Sequence, residues 1–274
     1  MLRYGVVLFT SFYGLQASSP FRPAFANPLQ TRCVNACGYA TVPLREGSQC
    51  VSPQFVSLLK VEGKDGIHLT DLTFDFGENT KIGGELMIQR LNKDGNTTDM
   101  WCYYMGARSP HKTDGWYKMG DPDVLVVKGD ENDAFFPAGE GLYLSALPGM
   151  KITTSGEVLL QKTTVTFKED GNMMLSNPYP VPLKLLDIEL TFNGDTKIGG
   201  EVMIQRLDKD GNTTQMWCYY MGARSPHKTD GWYKMGDEDI LVTTDNQPTF
   251  DPGEALYFGA KTDYTVTINP PTVQ

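Results

Sequence analysis

The chain is short of positive charge and has no long apolar run. Among its 274 residues, 24 Lys and Arg stand against 33 Asp and Glu, so the formal net charge is −9 at pH 7. Nucleic-acid binding needs a basic surface that neutralises phosphates, and this balance argues against such a partner. A membrane-spanning helix needs about 20 consecutive apolar residues. No segment comes close to that length, and we expect no transmembrane segment.

Histidine and helical periodicity are also scarce. Only 3 His are present, and each 41-residue copy of the repeat described below has a single His and a single Cys as candidate zinc ligands of the nitrogen and thiolate type. Structural zinc sites generally take four ligands, so we expect no metal and no cofactor. No stretch has the sustained 3.6-residue period of an amphipathic helix. Instead, 28 Gly, 17 Pro and 11% aromatic residues favour strands joined by turns.

Residues 1–26 have the layout of a secretory signal peptide, with a disordered N-terminus as the alternative. One early Arg precedes a mostly apolar stretch of about ten residues, and Ala17 and Ala26 are candidate cleavage positions. The layout predicts a protein that is secreted or held at the cell surface.

The five cysteines fall into two groups. Cys33, Cys37 and Cys50 lie near the N-terminus, whereas Cys102 and Cys218 occupy matching places in a repeat. In an exported protein the first group allows a Cys37–Cys50 or a Cys33–Cys50 disulfide, because the sequence does not determine connectivity. Cys102 and Cys218 stand mid-strand between aromatic residues, where a buried, unreactive thiol is the usual outcome.

An internal repeat is the strongest signal in the sequence. Residues 81–121 recur at 197–237, a shift of 116 positions, with only three differences in 41 residues. Weaker similarity pairs 47–55 with 171–179 and 139–146 with 253–260. A period this long exceeds the units of about 20–50 residues that build solenoids. We therefore predict two tandem homologous units, 38–156 and 157–270, that pack closely together or share a strand.

Within each unit nearly every segment predicts a strand. Residues 86–91 and 100–105 form a predicted hairpin around Asp94-Gly95, which Asp210-Gly211 repeats in the second unit. Alternation places Trp101 and Cys102 on opposite faces of a strand that we expect to be central. Other strands are predicted at 41–44, 69–74, 116–119, 124–127 and 141–146. The predicted fold is all-β, with two antiparallel β-sandwich or barrel-like units.

The repeated segment contains the residue types of a nucleophilic triad, Cys102, His111 and Asp114, but lacks any recognised catalytic signature. We expect no enzymatic activity. Aromatic rings beside polar loop residues favour recognition of a glycan or peptide more than catalysis. Trp116 and Trp232 are expected to be the most accessible rings, and His111 to lie in a solvated loop. The candidate binding residues are Trp101, Tyr103, Arg108, His111, Asp114, Trp116 and Tyr117, with Trp217, Tyr219, Arg224, His227, Asp230, Trp232 and Tyr233 in the second unit.

The repeated segment is also mildly basic within an acidic chain. Residues 81–121 contain six bases and five acids, and 197–237 have the same balance. Such a segment could dock onto the acidic part of a neighbouring copy and give head-to-tail self-association. Near-identity in exposed turns is explained either by sequence exchange between the copies or by a shared partner. Two identical binding faces would raise avidity.

The order of motifs within a unit is Gly-x-x-x-x-Ser, then Ile-Gln-x-Leu-x-x-Asp-Gly, then Gly-Trp-Tyr and finally Gly-Glu-x-Leu-Tyr. Over 38–262 this order resembles the uncharacterised repeat domains of exported and surface proteins from gut and environmental bacteria. The resemblance implies a secreted or surface β-domain and transfers no catalytic residues. The first unit departs from the pattern in a longer segment, 56–80, against 180–196 in the second.

Together these features predict a non-enzymatic, secreted or cell-surface protein with a structural or adhesive role, whose partner is itself or a surface glycan or protein. The alternative is a tandem module that binds a glycan or peptide through loop aromatics.

Overall fold

The computed structural model describes residues 4–7, 37–57, 60–91, 96–168, 171–194, 197–208 and 212–270. Within these ranges the chain forms 23 β-strands and four single-turn 3-10 helices, so the fold is all-β as predicted. None of these helices is long and apolar enough to cross a membrane. The strands are β1 (Tyr4–Val7), β2 (Cys37–Pro43), β3 (Gly47–Val51), β4 (Gly66–His68), β5 (Thr73–Asp75), β6 (Ile82–Leu91), β7 (Thr97–Met105), β8 (Gly115–Lys118), β9 (Val124–Leu125), β10 (Phe135–Pro137), β11 (Leu142–Ala146), β12 (Lys151–Glu157), β13 (Thr163–Phe167), β14 (Gly171–Ser176), β15 (Leu183–Lys184), β16 (Ile188–Phe192), β17 (Ile198–Leu207), β18 (Thr213–Met221), β19 (Gly231–Lys234), β20 (Ile240–Leu241), β21 (Thr249–Phe250), β22 (Ala255–Ala260) and β23 (Tyr264–Ile268). The 3-10 helices are η1 (Leu69–Asp71), η2 (Gly106–Arg108), η3 (Leu185–Asp187) and η4 (Gly222–Arg224).

Two six-stranded sheets dominate the architecture. Their strand orders are β3-β11-β6-β7-β8-β9 and β14-β22-β17-β18-β19-β20. Smaller sheets have the orders β1-β2-β12-β5, β10-β4, β13-β23-β16 and β15-β21. Every pairing is antiparallel. No sheet mixes strands β1–β12, here called the N-terminal half, with strands β13–β23, the C-terminal half.

Strand β7 lies in the interior of its sheet, between β6 and β8, as its sequence predicts. Successive side chains of a strand point to opposite faces, so Trp101 enters the main core while Cys102 and Tyr104 pack on the other face. The predicted hairpin strands pair as expected, with Ile88 opposite Trp101. The turn of this hairpin, Asp94-Gly95, and the turn of its copy, Asp210-Gly211, lie outside the described residues.

A glycine pair bends the hairpin in both halves. The register of β6 against β7 shifts between Gly83 and Met87, and Gly84 has φ +99°. A Cβ on Gly84 would lie 3.3 Å from the ring of Tyr104. Glycine therefore allows both the left-handed backbone and the close approach of the tyrosine ring.

Each half has its own main hydrophobic core. In the N-terminal half, Leu86, Ile152 and Ile67 come from three different sheets and meet in one buried cluster. In the C-terminal half, a second cluster contains Leu159, Trp217 and Ile268. Both clusters are large enough to involve most strands of their half.

Two predicted strands are shorter in the structure. In the segment 69–74, residues Leu69–Asp71 form η1 instead, because Leu72 N donates to Leu69 O at 3.2 Å and closes a 3-10 turn. The strand predicted at 124–127 ends at Leu125. The predicted strand at 141–146 is present as Leu142–Ala146.

The halves meet at a junction in which equivalent residues contact each other. The hydroxyl oxygens of Ser52 and Ser176 are 2.6 Å apart, and both residues are 1% exposed. Ser52 N donates to Gly253 O at 2.9 Å, and Ser176 N donates to Gly139 O at 2.8 Å. The aligned repeat pairs Ser52 with Ser176 and Gly139 with Gly253, so each half gives and receives the same bond.

Candidate functional site

The candidate aromatic residues of the repeat are divided between two faces of the sheet. All four tryptophans are buried: Trp101 is 2% exposed, Trp116 7%, Trp217 2% and Trp232 3%. The prediction that Trp116 and Trp232 are accessible was therefore wrong. Trp116 stands opposite Tyr103 in the pairing of β7 with β8, and this register turns its ring into the core.

Tyr103 and Tyr219 are half-buried on the core side of their sheets. The Tyr103 ring lies 4.9 Å from the Phe76 ring and 5.4 Å from the Trp116 ring, measured between centroids. Tyr219 packs in the same way against Phe192 at 5.6 Å. These rings cover the core edge rather than project from a loop.

His111 packs onto the outer face of the N-terminal sheet. Its ring stacks on Tyr117 at 3.8 Å and meets Tyr104 edge-on at 4.9 Å. Its side chain is only 21% exposed, and Nε2 lies 3.6 Å from Asp123 Oδ2. The expectation of a solvated histidine was wrong, because the loop folds back over the two tyrosine rings.

The C-terminal half repeats this packing closely. His227 stacks on Tyr233 at 3.8 Å and meets Tyr220 at 4.8 Å. In both halves the tyrosine hydroxyl is held by the same loop, since Tyr117 donates to Thr113 O and Tyr233 to Thr229 O, each at 2.9 Å. The outer faces of the two sheets therefore have the same histidine–tyrosine packing and the same tyrosine hydrogen bond to the loop.

The loops 106–115 and 222–231 are exposed and built identically. Asp114 Oδ1 accepts a bond from Gly106 N at 3.0 Å, and Asp230 Oδ1 accepts one from Gly222 N at 2.9 Å. Arg108 forms an ion pair with Glu85, as Arg224 does with Glu201. The residues flanking η2 and η4 have backbone angles that agree within a few degrees.

The Cys-His-Asp set has different contacts from those of a catalytic triad. Cys102 is 4% exposed, and burial, followed by the Asp123 carboxylate, raises the pKa of its thiol to about 11. His111 is engaged with tyrosine rings and Asp114 with a backbone amide. A thiol held protonated at neutral pH is a poor nucleophile.

Cys37 and Cys50 are free thiols in the structure, so the predicted bridge between them is not formed. Cys37 begins β2 and Cys50 lies in β3, and these strands belong to separate sheets. Cys50 Sγ instead lies 3.2 Å from Met174 Sδ of the other half, and burial raises its thiol pKa to about 12. The alternative bridge from Cys33 lies outside the described residues.

Much of the basic charge of the repeated segment is paired within its own half. Arg90 Nε lies 2.8 Å from Glu140 Oε1, and Lys118 Nζ lies 3.1 Å from Asp99 Oδ1. At the position equivalent to Asp99, Gln215 accepts a bond from Arg206. Lys112 and Lys228 are exposed within the loops 106–115 and 222–231. Head-to-tail docking through these segments stays a prediction.

A cavity in the N-terminal half was not anticipated from the sequence. It has a volume of about 430 Å³ and is lined by Ser57, His68, Asp71, Lys128, Asp133 and Ser155, among others. Ser57, His68 and Asp71 fall in the longer segment 56–80, whose extra length is the one sequence signal near the cavity but does not by itself indicate a cavity. Lys128 and Asp133 come from the loop between β9 and β10.

Asp71 is the centre of a hydrogen-bonded chain in this cavity. Lys128 Nζ donates to Asp71 Oδ1 at 2.7 Å, and Ser57 Oγ donates to Oδ2. Burial alone would raise the pKa of Asp71. The hydrogen bonds from Lys128 and Ser57, together with the lysine charge, outweigh burial, so the pKa lies below its ordinary value of 3.8.

Asp133 anchors the walls of the cavity. Its side chain is 1% exposed and accepts bonds from Thr70 N at 3.1 Å, Thr70 Oγ1 at 2.7 Å and Gly129 N at 2.9 Å. His68 Nδ1 lies 3.5 Å from Asp133 Oδ2. Although Ser, His and Asp line one cavity, the Ser57 hydroxyl donates to Asp71, so the pattern of a serine nucleophile and its base is not the one observed.

Within the described ranges no three His, Cys, Asp or Glu side chains are grouped so as to hold a metal ion. No protein-family model, curated protein or solved structure matches this chain.

Proposed function

We propose that this protein is a non-enzymatic structural or adhesive component, secreted or held at a cell surface, built from two tandem β-sandwich or barrel-like units at 38–156 and 157–270. The observation that carries the proposal is the duplicated exposed loop, 106–115 and 222–231. Its sequence is identical in the two halves, and its internal bonds are repeated within about 0.1 Å at the aspartate.

Identical exposed loops make each chain bivalent toward a common partner. Bivalency raises avidity without any new kind of contact, and heterologous contacts between copies can propagate into larger assemblies. Lys112 and Lys228 project from these loops on a chain with net charge −9. Self-association through these lysines and the acidic surface of a second copy is the form of the proposal that can be tested directly.

Light scattering coupled to size-exclusion chromatography of the full chain, over a wide concentration range and at low and high salt, tests the proposal. Wild-type mass should rise with concentration and fall with added salt, because screening weakens exposed charge pairs. Lys112→Glu or Lys228→Glu should each reduce the mass, and the double variant should be a monomer.

The matched control is the pair Lys162→Glu and Lys184→Glu, two exposed lysines outside the loops. This control changes the net charge by the same amount and should leave assembly unaltered. A wild-type chain that is monomeric throughout, or a loop double variant that assembles like wild type, overturns the proposal.

The alternative of a glycan- or peptide-binding module through loop aromatics receives less support. The four tryptophans of the chain are buried in the two cores, and the rings of Tyr117 and Tyr233 are covered by His111 and His227.

A further inference from the structure

The cavity around Asp71 differs sharply from the corresponding place in the C-terminal half. The turns η1 and η3 are equivalent, because Leu69 N donates to Ala134 O and Leu185 N to Pro248 O. On this alignment Lys184 takes the place of His68 and Gln247 that of Asp133. Val126 N donates to Trp116 O and Val242 N to the equivalent Trp232 O, so Thr244 takes the place of Lys128. Only Asp71 keeps its residue type, as Asp187.

Closing the turn does not require these ionisable groups. In the N-terminal half Thr70 N donates to Asp133 Oδ1, and in the C-terminal half Leu186 N donates to Gln247 Oε1 at 3.3 Å. A neutral amide therefore does the same structural task. A buried carboxylate beside a histidine and a lysine exceeds what the fold needs at this position.

The polar groups of the cavity retain hydrogen-bonding capacity. Each Asp71 oxygen accepts one bond from a side chain and has a second lone pair, and the Lys128 ammonium uses one of its three hydrogens on Asp71. A hydroxyl group can donate to such a carboxylate and accept from the ammonium at the same time. This adjacent acceptor and donor match a vicinal pair of hydroxyls.

The charge balance selects against anions. Two carboxylates, Asp71 and Asp133, face one ammonium, so the cavity has no excess positive charge whether or not the His68 imidazole is charged. The equivalent region of the C-terminal half has a cavity of about 540 Å³ with Asp187 and Glu189 in its lining and no Lys, Arg or His. The paired acceptor and donor are therefore a feature of the N-terminal cavity.

We infer that the cavity between η1 and the β9–β10 loop binds a neutral, hydroxyl-bearing ligand of monosaccharide size, with Asp71 accepting and Lys128 donating hydrogen bonds to its hydroxyls. A volume of about 430 Å³ falls in the range of small-molecule sites, about 300–1,000 Å³. This inference is independent of the proposed adhesive role, since it uses neither loop.

The test titrates the full chain with glucose, galactose, mannose and N-acetylglucosamine, and separately with inorganic phosphate. Saturation-transfer NMR detects binding and calorimetry measures it. At least one sugar should bind and phosphate should not. Asp71→Asn and Lys128→Met should each lower the affinity for that sugar by about tenfold or more, because each variant loses a hydrogen bond to a charged group.

Asp187→Asn is the matched control, because it makes the same change at the equivalent, exposed position and should leave sugar binding unaltered. Lys128 is 68% exposed in its side chain, so Lys128→Met keeps the test valid if Asp71→Asn fails to fold. Failure of all four sugars to bind, binding of phosphate alone, or sugar affinity unchanged in Lys128→Met overturns the inference.

Discussion

Arg90 forms an ion pair with Glu140, in which Arg90 Nε lies 2.8 Å from Glu140 Oε1. The backbone of Glu140 in turn forms a β-bridge to Leu175 of the other half. The guanidinium also donates to Phe135 O at 2.8 Å and lies 5.0 Å from the centre of the Phe136 ring. Arg206 and Glu254 repeat the pair, and Glu254 bridges to Val51. The repeated hairpin is thus tied to the junction by the same arginine in both halves.

Replacing Arg90 should destabilise the protein more than replacing a surface cation. Arg90→Met leaves the half-buried Glu140 carboxylate without its partner, and we expect a loss of about 2–3 kcal/mol in the free energy of unfolding. Lys151→Met is the control, because it breaks a pair with Asp75 in which both side chains are about half exposed. Such pairs contribute about 0–1 kcal/mol. Urea unfolding measures both, and equal losses would contradict the prediction.

Tryptophan fluorescence should report a fully buried set of rings. The chain has 4 Trp, none more than 7% exposed. We expect a blue-shifted emission maximum and weak quenching by acrylamide in the native state, with strong quenching after unfolding in urea. Strong native quenching that is removed by Trp116→Phe or Trp232→Phe would show that one of these rings is accessible after all.

Alkylation by iodoacetamide should distinguish the thiols. Cys37 is exposed, whereas burial raises the pKa of Cys102 and Cys218 to about 11 and that of Cys50 to about 12. The thiolate is the reactive form, so peptide mapping at neutral pH should find Cys37 modified long before the other three. These four thiols, which belong to the described part of the chain, should react at similar rates in urea. Fast native labelling of Cys102 would contradict its position under Tyr104 and Tyr117.

The stability contributed by Asp71 should depend on pH. Because its pKa is lower in the folded protein than its ordinary value of 3.8, this contribution is complete above that value and is lost as pH falls through the folded pKa. The difference in unfolding free energy between wild type and Asp71→Asn should therefore be largest near neutral pH and shrink in acid. Asp187→Asn serves as the exposed control. A difference that stays constant or grows in acid would contradict the assignment.

The sequence predicts local structure well where two signals agree. The hairpin 86–91 and 100–105 has both strand alternation and a turn motif, and its strands pair in the expected orientation. The accessibility of Trp116 was predicted wrongly because the neighbouring glycine suggested a loop, whereas pairing with Tyr103 decides which way the ring points. Side-chain direction near a strand end depends on the partner strand.

The cavity could not be predicted because its residues are far apart in the chain. His68 and Asp133 are brought together when β4 pairs with β10, a contact between segments with no shared sequence pattern. The extra length of 56–80 marks where the halves differ, but not that its polar residues face Lys128.

The junction has the arrangement of a symmetric homodimer. In a two-fold interface the same patch appears on both partners, and each contact from one side is returned by the other. Ser52 meeting Ser176, with Gly139 and Gly253 each receiving an amide bond, satisfies that condition within a single polypeptide. The chain therefore holds within one molecule a reciprocal contact of the kind that two identical subunits make by association. Because both sides belong to one polypeptide, the formation of this contact does not depend on protein concentration.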